Sequence, residues 1–283
     1  MSVDRYAVIG HPIEHSRSPA IHRMFAEQTG ERIDYRKLLA PIDGFEQAIR
    51  QWFGQGGRGL NVTLPFKLEA FALADRATGR ARAAGAANLL AWGEEGLLAD
   101  NTDGAGLVRD IEHRLKLPFK GASVLLLGAG GASRGVLKPI IDAGAARLHI
   151  ANRSPERASG LATEFGALAG LRITAGDLRS TPRGIDLVIN ATSSGLASGD
   201  SPIDAEAFAG ATLAYDMVYG SEATPFMRAA RQAGTAVVSD GLGMLVEQAA
   251  ESFLIWRGVR PESEPVYDSL RLELGSSGGG PSK

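Results

Sequence analysis

The sequence predicts a two-domain α/β protein: a mostly parallel α/β segment at the N-terminus, then a doubly wound domain of Rossmann type. Three observations carry this. The chain has 283 residues, and roughly 100–200 residues make one domain. Short apolar runs alternate with helical stretches over almost the whole length, the pattern of strands that pair in parallel. One of those runs, Ser123–Leu127, ends in Gly128-Ala129-Gly130-Gly131, a glycine turn between a strand and a helix.

In the first segment Tyr6–Ile9 reads as a buried strand, and Pro19–Gly30 as a helix with Ile21, Met24 and Phe25 on one face. Ile33–Leu39 is a second strand. Asp43–Gly54 is an amphipathic helix, since Phe45, Ile49, Trp52 and Phe53 fall at helical spacing, and Asp43 is its expected N-cap. Gly54–Gly59 reads as a glycine-rich loop and Leu60–Val62 as the start of a strand. Asn88–Trp92 and Gly96–Asp100 form a hairpin around Gly93-Glu94-Glu95. Asp103–Lys116 is helical until Pro118 breaks it. The second segment repeats the alternation: strand Ser123–Leu127, helix Ala132–Ala143, strand Arg147–Ala151, helix Pro155–Phe165, strands Asp186–Asn190 and Thr212–Asp216, helix Thr224–Gln232 and strand Ala236–Val238. The long helix Gly243–Arg257 is expected to return to the first domain. The first domain therefore spans 1–103 with 241–274, and the second 104–240. Residues 275–283 (GSSGGGPSK) have flexible-linker composition.

Lys and Arg number 30 against 32 Asp and Glu, for a formal charge of −2. Without a basic block, nucleic acid is not an expected partner, because phosphate binding needs clustered cations. There is no cysteine, which excludes disulfides, thiolate catalysis and cysteine metal sites. The five histidines show no ligand arrangement, so no metal is expected. The apolar run ending at Gly10 is short for a signal segment, and no stretch approaches the ~18 apolar residues of a membrane span. The expectation is a cytoplasmic monomer or homodimer acting on a small molecule.

The glycine turn has a defined use. Gly128 permits the turn, Gly130 lets backbone approach a pyrophosphate, and the helix beginning near Ala132 offers free N–H groups and its positive dipole end. Ser133 takes the third small position. The alternative is a tight turn without ligand. At the end of the next strand stand Asn152-Arg153-Ser154, with Arg157 one turn later. No carboxylate is there for a ribose 2′-hydroxyl, whereas a guanidinium matches a 2′-phosphate bidentately. The expected cofactor is therefore NADP(H), with Arg153 as principal clamp and Asn152, Ser154 and Arg157 assisting. Asn190-Ala191-Thr192-Ser193-Ser194-Gly195 reads as further cofactor contacts or, equally, as a polar loop.

Asn61-Val62-Thr63-Leu64-Pro65-Phe66-Lys67 closes a strand so that Thr63 and Lys67 can face one pocket, and Asn101-Thr102-Asp103 stands at the domain junction, where ligand clefts form. Taken alone, Lys67 is most simply a solvated lysine and Asp103 the N-cap of the following helix. Ser16 and Ser18 lie before a helix N-terminus, a suitable cradle for a carboxylate; Ser18 is also a plain N-cap before Pro19. Gln248 is polar on the stripe of Met244, Leu245 and Ser252, so it faces a wet pocket or the stripe's edge.

Gly10-x-Pro12-x-x-His15-Ser16-x-Ser18-Pro19, Asn61-Val62-Thr63-x-Pro65-x-Lys67, Gly85-Ala86-x-Asn88, Asn101-Thr102-Asp103-x-x-Gly106, Asn152-Arg153-Ser154, Asn190-Ala191-Thr192-Ser193 and Asp240-Gly241-x-Gly243-Met244-Leu245-x-x-Gln248 resemble, in order, the shikimate dehydrogenase family. The resemblance implies a two-domain enzyme that reduces 3-dehydroshikimate to shikimate with NADPH. It implies Lys67 and Asp103 as the catalytic pair. Ser16, Ser18, Thr63, Asn88 and Gln248 would hold the substrate, with Tyr219 beside its carboxylate. Cofactor contacts would come from Gly128, Ala129, Gly130, Gly131, Ala132, Asn152, Arg153, Ser154, Arg157, Thr192, Met217 and Gly241. Arg23 stands where the family usually has Asn, and Leu89 where Thr is usual. The alternatives are a quinate or dual quinate/shikimate dehydrogenase and, from another class, a non-catalytic NADP-binding regulator.

Overall fold

The computed structural model describes residues 3–169, 171, 173–192 and 201–277. The chain divides into two compact units, Met1–Gly106 with Leu245–Val266 and Leu107–Met244 with Tyr267–Lys283.

The first unit is built on a mixed sheet of β1 (Asp4–Gly10), β2 (Ile33–Leu39), β3 (Gly57–Val62), β4 (Arg76–Ala77), β5 (Leu89–Gly93) and β6 (Gly96–Asp100), in the order β2-β1-β3-β5-β6-β4. β1 runs parallel to β2 and β3, and β4 to β6, whereas β5 is antiparallel to both β3 and β6. Ala7, Ile9, Leu60, Val62, Leu90 and Ala99 close one core with Phe45, Ile49, Trp52 and Phe66. Phe45 and Phe66 stack at 4.5 Å, and each such fully buried aromatic contributes about 1.5–3 kcal/mol.

Of the glycines after the second helix, Gly57 and Gly59 are strand residues, while Gly56 stays in a turn at φ +86°. A Cβ on Gly57 would lie 2.2 Å from Trp52 Nε1, and one on Gly59 2.4 Å from Trp256 Nε1. Two indoles need those bare positions, and a loop reading mistakes packing for flexibility.

On the helix Ser18–Thr29, His22 is fully buried. Its ring stacks on Tyr35 at 4.2 Å, with Trp256 at 5.5 Å. Burial, against a weaker opposing pull from Asn61, pushes the imidazole from 6.5 to about 3. The folded protein keeps His22 neutral while the unfolded chain protonates it near 6.5, so acidification from pH 6.5 toward 3 removes stability. The expected loss attributable to His22 is about 2 kcal/mol by pH 5, at ~1.4 kcal/mol per pH unit. Denaturant unfolding at pH 7 and pH 5 checks this. The His22→Phe variant should lose that much less than the wild type between the two, and equal losses would remove the assignment.

The second unit carries β7 (Ser123–Leu127), β8 (Arg147–Ala151), β9 (Ile173–Gly176), β10 (Leu187–Asn190), β11 (Leu213–Asp216) and β12 (Val237–Ser239), in the order β12-β11-β10-β7-β8-β9. Every pairing is parallel. Leu125, Leu127, Val188 and Ala214 pack with Phe208, Phe226 and Met227 on one face. β7 and β10 are neighbours from which the chain departs in opposite directions, the switch point at which doubly wound sheets bind nucleotides.

Several local expectations are corrected. The second helix is Phe45–Gly54, and its N-cap is Gly44 without a side-chain bond, so Asp43 does not cap it. The helix from Asp103 is α-helical to Arg109 and a π-helix over Asp110–Arg114. Buried Asp110 accepts from Tyr215 Oη at 2.6 Å and Arg114 Nε at 2.6 Å, two partners that go with the widened turn. Lys116, at φ +60°, lies beyond the helix before Pro118 is reached. The helices Lys67–Leu73 and Gly79–Ala84 and the strands β4 and β9 add to the expected set. So does the helix Glu264–Ser277, on which Val266 and Leu270 are buried. Residues 275–277 of the expected tail belong to that helix, and the rest lie outside the described residues. Among the described residues, no helix is long and apolar enough to cross a membrane.

Candidate active site

Local structure delivers Lys67 and Asp103 to one edge of the first sheet. β5 is antiparallel to β3 and to β6, so β3 and β6 end on the same side. After β3, the turn over residues 63–66 closes with Phe66 N donating to the Thr63 carbonyl at 3.1 Å, and Lys67 begins the helix Lys67–Leu73. After β6, Asn101 and Thr102 lead into Asp103, the first residue of its helix.

The two side chains meet. Lys67 Nζ donates to Asp103 Oδ2 at 2.6 Å, with the side chains 30% and 19% exposed. The other carboxylate oxygen accepts from Asn88 Nδ2 at 2.8 Å. Asn88 is itself fixed on three sides: its N–H donates to the Asp100 carbonyl, its carbonyl accepts from Val62 N, and Oδ1 accepts from Thr102 N at 2.7 Å. The Lys67 carbonyl accepts from Ala87 N at 2.8 Å. Asp103 thus spends its carboxylate on Lys67 and Asn88, and it is not a helix cap. A partly open ammonium held by a carboxylate can deliver a proton to a ligand oxygen and take it back.

Gln248 joins this group. Its Nε2 donates to the Leu245 carbonyl at 2.8 Å, leaving Oε1 to accept from Asn88 Nδ2 at 3.3 Å and Thr102 Oγ1 at 3.4 Å. Thr102 and Asn61 are the residues that sequence reasoning quoted in motifs without assigning a role. Thr102 Oγ1 lies 3.3 Å from Ser252 Oγ, which accepts from Asn61 Nδ2 at 2.9 Å, and Tyr35 Oη donates to Asn61 Oδ1 at 2.7 Å. The available signal for Asn61 is a polar residue in an apolar strand, whereas Thr102 lies in the short connection after β6. Ser16 and Ser18 pair through their hydroxyls at 3.3 Å. Ser18 is the first helical residue, and Arg17 occupies the N-cap position with no side-chain cap bond, so the capping role expected for Ser18 is not seen. Thr63 stands in the turn before Lys67. Leu89 is fully buried on β5 and Arg23 is exposed.

In the second unit the expected cofactor residues follow the carboxyl ends of β7, β8, β10, β11 and β12, which parallel pairing places on one edge. Gly128 adopts φ +105°, and a Cβ there would meet Thr192 Cγ2 at 3.1 Å and Ser133 Oγ at 3.2 Å. Around Gly130 and Gly131 the space is open, and Gly130 is the N-cap position of the helix Gly131–Asp142, with Ala129 before it and Ala132 in its first turn. That combination of a crowded turn glycine and bare backbone at a helix N-terminus fits a pyrophosphate. Asn152 Nδ2 donates to the Ser154 carbonyl, and Arg157 N to the same carbonyl. Arg153 and Arg157 are both exposed, open to a phosphate. Thr192 Oγ1 donates to Asn190 Oδ1 at 2.7 Å, while Ser193, Ser194 and Gly195 lie outside the described residues.

Met217 and Gly241 belong together: a Cβ on Gly241 would stand 2.2 Å from the Met217 carbonyl oxygen. Buried Asp216 holds their loop, which continues to Tyr219, by accepting from Val218 N, Asn190 Nδ2 and Thr224 Oγ1. Burial raises its pKa above the ordinary carboxylate value. Among the described residues no His, Asp and Glu cluster is arranged to hold a metal.

Comparison with known proteins gives the family. Residues 8–90 match the shikimate dehydrogenase substrate binding domain, 111–198 the shikimate/quinate 5-dehydrogenase family, and 241–271 the shikimate 5′-dehydrogenase C-terminal domain. A protein of Aromatoleum aromaticum named shikimate dehydrogenase (NADP(+)) is 55% identical over 97% of this chain and 99% of its own. The crystal structure of an Ael1 enzyme from Pseudomonas putida superposes with a TM-score of 0.88 at 45% identity, covering 94% of this chain and 98% of that one. Shikimate 5-dehydrogenase from Thermus thermophilus, in complex with NADP(H) and shikimate, gives 0.84 at 34% identity over 96% and 100%. The chain belongs to the shikimate dehydrogenase family.

Proposed function

We propose that this chain catalyses the reversible, NADPH-dependent reduction of 3-dehydroshikimate to shikimate. The observation that carries the reading is the Lys67–Asp103 contact at 2.6 Å, buttressed by Asn88, in a chain whose relatives are named for this activity. NADP(H), when bound, supplies or accepts the hydride. Lys67 gives a proton to the substrate oxygen in reduction and receives it in oxidation, and its ammonium stabilises negative charge there. Asp103 keeps the ammonium aimed. Ser16 and Ser18 hold the substrate carboxylate with Tyr219 beside it, and Thr63, Asn88 and Gln248 take the ring hydroxyls.

The experiment is NADPH formation from shikimate and NADP+, with quinate and NAD+ as separate arms. Turnover with shikimate and NADP+ well above the other combinations is expected. Quinate turned over as well as shikimate would move the assignment to a dual-specificity enzyme, and no turnover with either acid would end it.

Cofactor choice has its own test. Each charge-assisted hydrogen bond is worth about 1.5–3 kcal/mol, so Arg153→Ala should raise the KM for NADPH roughly 10–100-fold. The KM for NADH should stay near the wild-type value. Equal effects on both cofactors would take the 2′-phosphate away from Arg153.

A further inference from the structure

A buried charge cluster underlies the turn that carries Asp103. Asp100, the last residue of β6, is 3% exposed and its carboxylate accepts four hydrogen bonds: from Thr78 Oγ1 at 2.6 Å, Arg80 Nε at 2.7 Å and Asn101 N at 2.6 Å on Oδ1, and from Arg80 Nη2 at 2.8 Å on Oδ2. The remaining arm of the same guanidinium, Nη1, donates to Glu251 Oε1 at 3.0 Å. Glu251 also takes a bond from Arg260. Burial opposes the charge on Arg80, but Asp100 and Glu251 outweigh it and raise the pKa. Burial on Glu251 is outweighed in turn by Arg260 and Arg80, which lower its pKa. Arg80 and Glu251 therefore stay charged.

We propose that Arg80 is a positioning residue for the active site: its guanidinium sets the spacing between the turn that carries Asp103 and the helix that carries Gln248. The inference rests on the function proposed above. Glu251 lies one turn beyond Gln248 on the helix Leu242–Arg257. Where that helix meets the turn, its bonds are long: Gln248 Oε1 to Asn88 and Thr102 at 3.3 and 3.4 Å, and Ser252 Oγ to Thr102 at 3.3 Å. Such bonds define a distance poorly. The Arg80 bonds, at 2.7–3.0 Å, are short, charge-assisted and planar. One rigid fork gripping Asp100 with one edge and Glu251 with its third nitrogen fixes what the active-site bonds leave loose. Asp100 passes the constraint on, since its carboxylate takes Asn101 N and its carbonyl takes Asn88 N. A lysine has the charge but neither the fork nor the third arm.

The test is Arg80→Lys, assayed well below the melting temperature of each protein. A misplacement of about 1 Å can cost ~10²-fold in rate. With the charge kept, the expected result is a fall in kcat of roughly tenfold and a several-fold rise in the KM for shikimate. The Kd for NADPH, read by tryptophan fluorescence, should not change. Glu251→Gln leaves the Asp100 fork intact, so it should raise the KM for shikimate with kcat near wild type. On kcat/KM, Arg80→Lys combined with Gln248→Ala should be non-additive, because both act on one contact. A scaffold role alone would lower the melting temperature, leave kcat and KM unchanged and give additive effects, and that result overturns the proposal. If Arg80→Lys does not fold, an unchanged KM in Glu251→Gln overturns it. Wild type inert toward shikimate and NADP+ would instead refute the function itself.

Discussion

Lys67→Ala should lower turnover of shikimate at least ~10²-fold, the scale of a lost acid–base group, while the Kd for NADPH stays within about twofold of wild type by the same reasoning. The residue is the first of its helix, anchored by Phe66 packed on Phe45 and by its carbonyl bond to Ala87 N. Truncation at Cβ therefore removes the ammonium without disturbing the turn. The side chain is 30% exposed, so the fold loses little and the melting temperature should barely move. The loss belongs in kcat, because a proton must be delivered whether or not the substrate is bound tightly. Turnover within threefold of wild type would remove Lys67 from the mechanism.

Asp103→Asn should have the second largest effect, again about 10²-fold or more in kcat, with a raised KM for shikimate. The substitution conserves shape, and the difficulty is one of donors. Asp103 accepts on both oxygens, from Lys67 on one and from Asn88 Nδ2 on the other. An amide has one acceptor and one donor end, so whichever way it turns, an N–H faces either the ammonium or the Asn88 amide. One of the two bonds is lost, and Lys67 also loses its counter-charge. Steady-state kinetics beside a thermal melt check this. A variant that folds normally and keeps a wild-type kcat would show that the carboxylate does nothing the amide cannot.

Sequence reading reached the strands best where one rule governed them. Ser123–Leu127 and Arg147–Ala151 have the expected bounds, because strands inside a parallel sheet are covered on both faces and are mostly apolar; Ile33–Leu39 has them too, although it is a polar strand at the sheet edge. It missed short elements whose reason is tertiary. Gly57 and Gly59 pair within β3 and are bare because Trp52 and Trp256 lie against them, indoles that come from residues 5 and 197 positions away. The π-helix at Asp110 goes with partners at Tyr215 and Arg114, the first of which no local pattern announces.

The site divides in the same way. Lys67, Asp103, Asn88 and Gln248 do come together. Each was visible as a polar residue at a strand end or on an apolar stripe, but only the ordered motifs joined them. Thr102 and Arg80 act through neighbours distant in sequence, so their types alone carry no signal, and Asn61 shows only as a polar residue in an apolar strand. Arg80 in isolation is a helix arginine like any other. Its meaning lies in Asp100 and Glu251, 20 and 171 positions away.

A crystal structure of the wild-type enzyme with shikimate tests the central assignment most directly. The reacting ring hydroxyl is expected within hydrogen-bond reach of Lys67 Nζ, about 2.6–3.2 Å, with the acid's carboxylate on the Ser16 and Ser18 hydroxyls. Shikimate bound with its hydroxyls turned away from Lys67 and Asp103, or bound elsewhere on the molecule, would contradict the mechanism given for this chain.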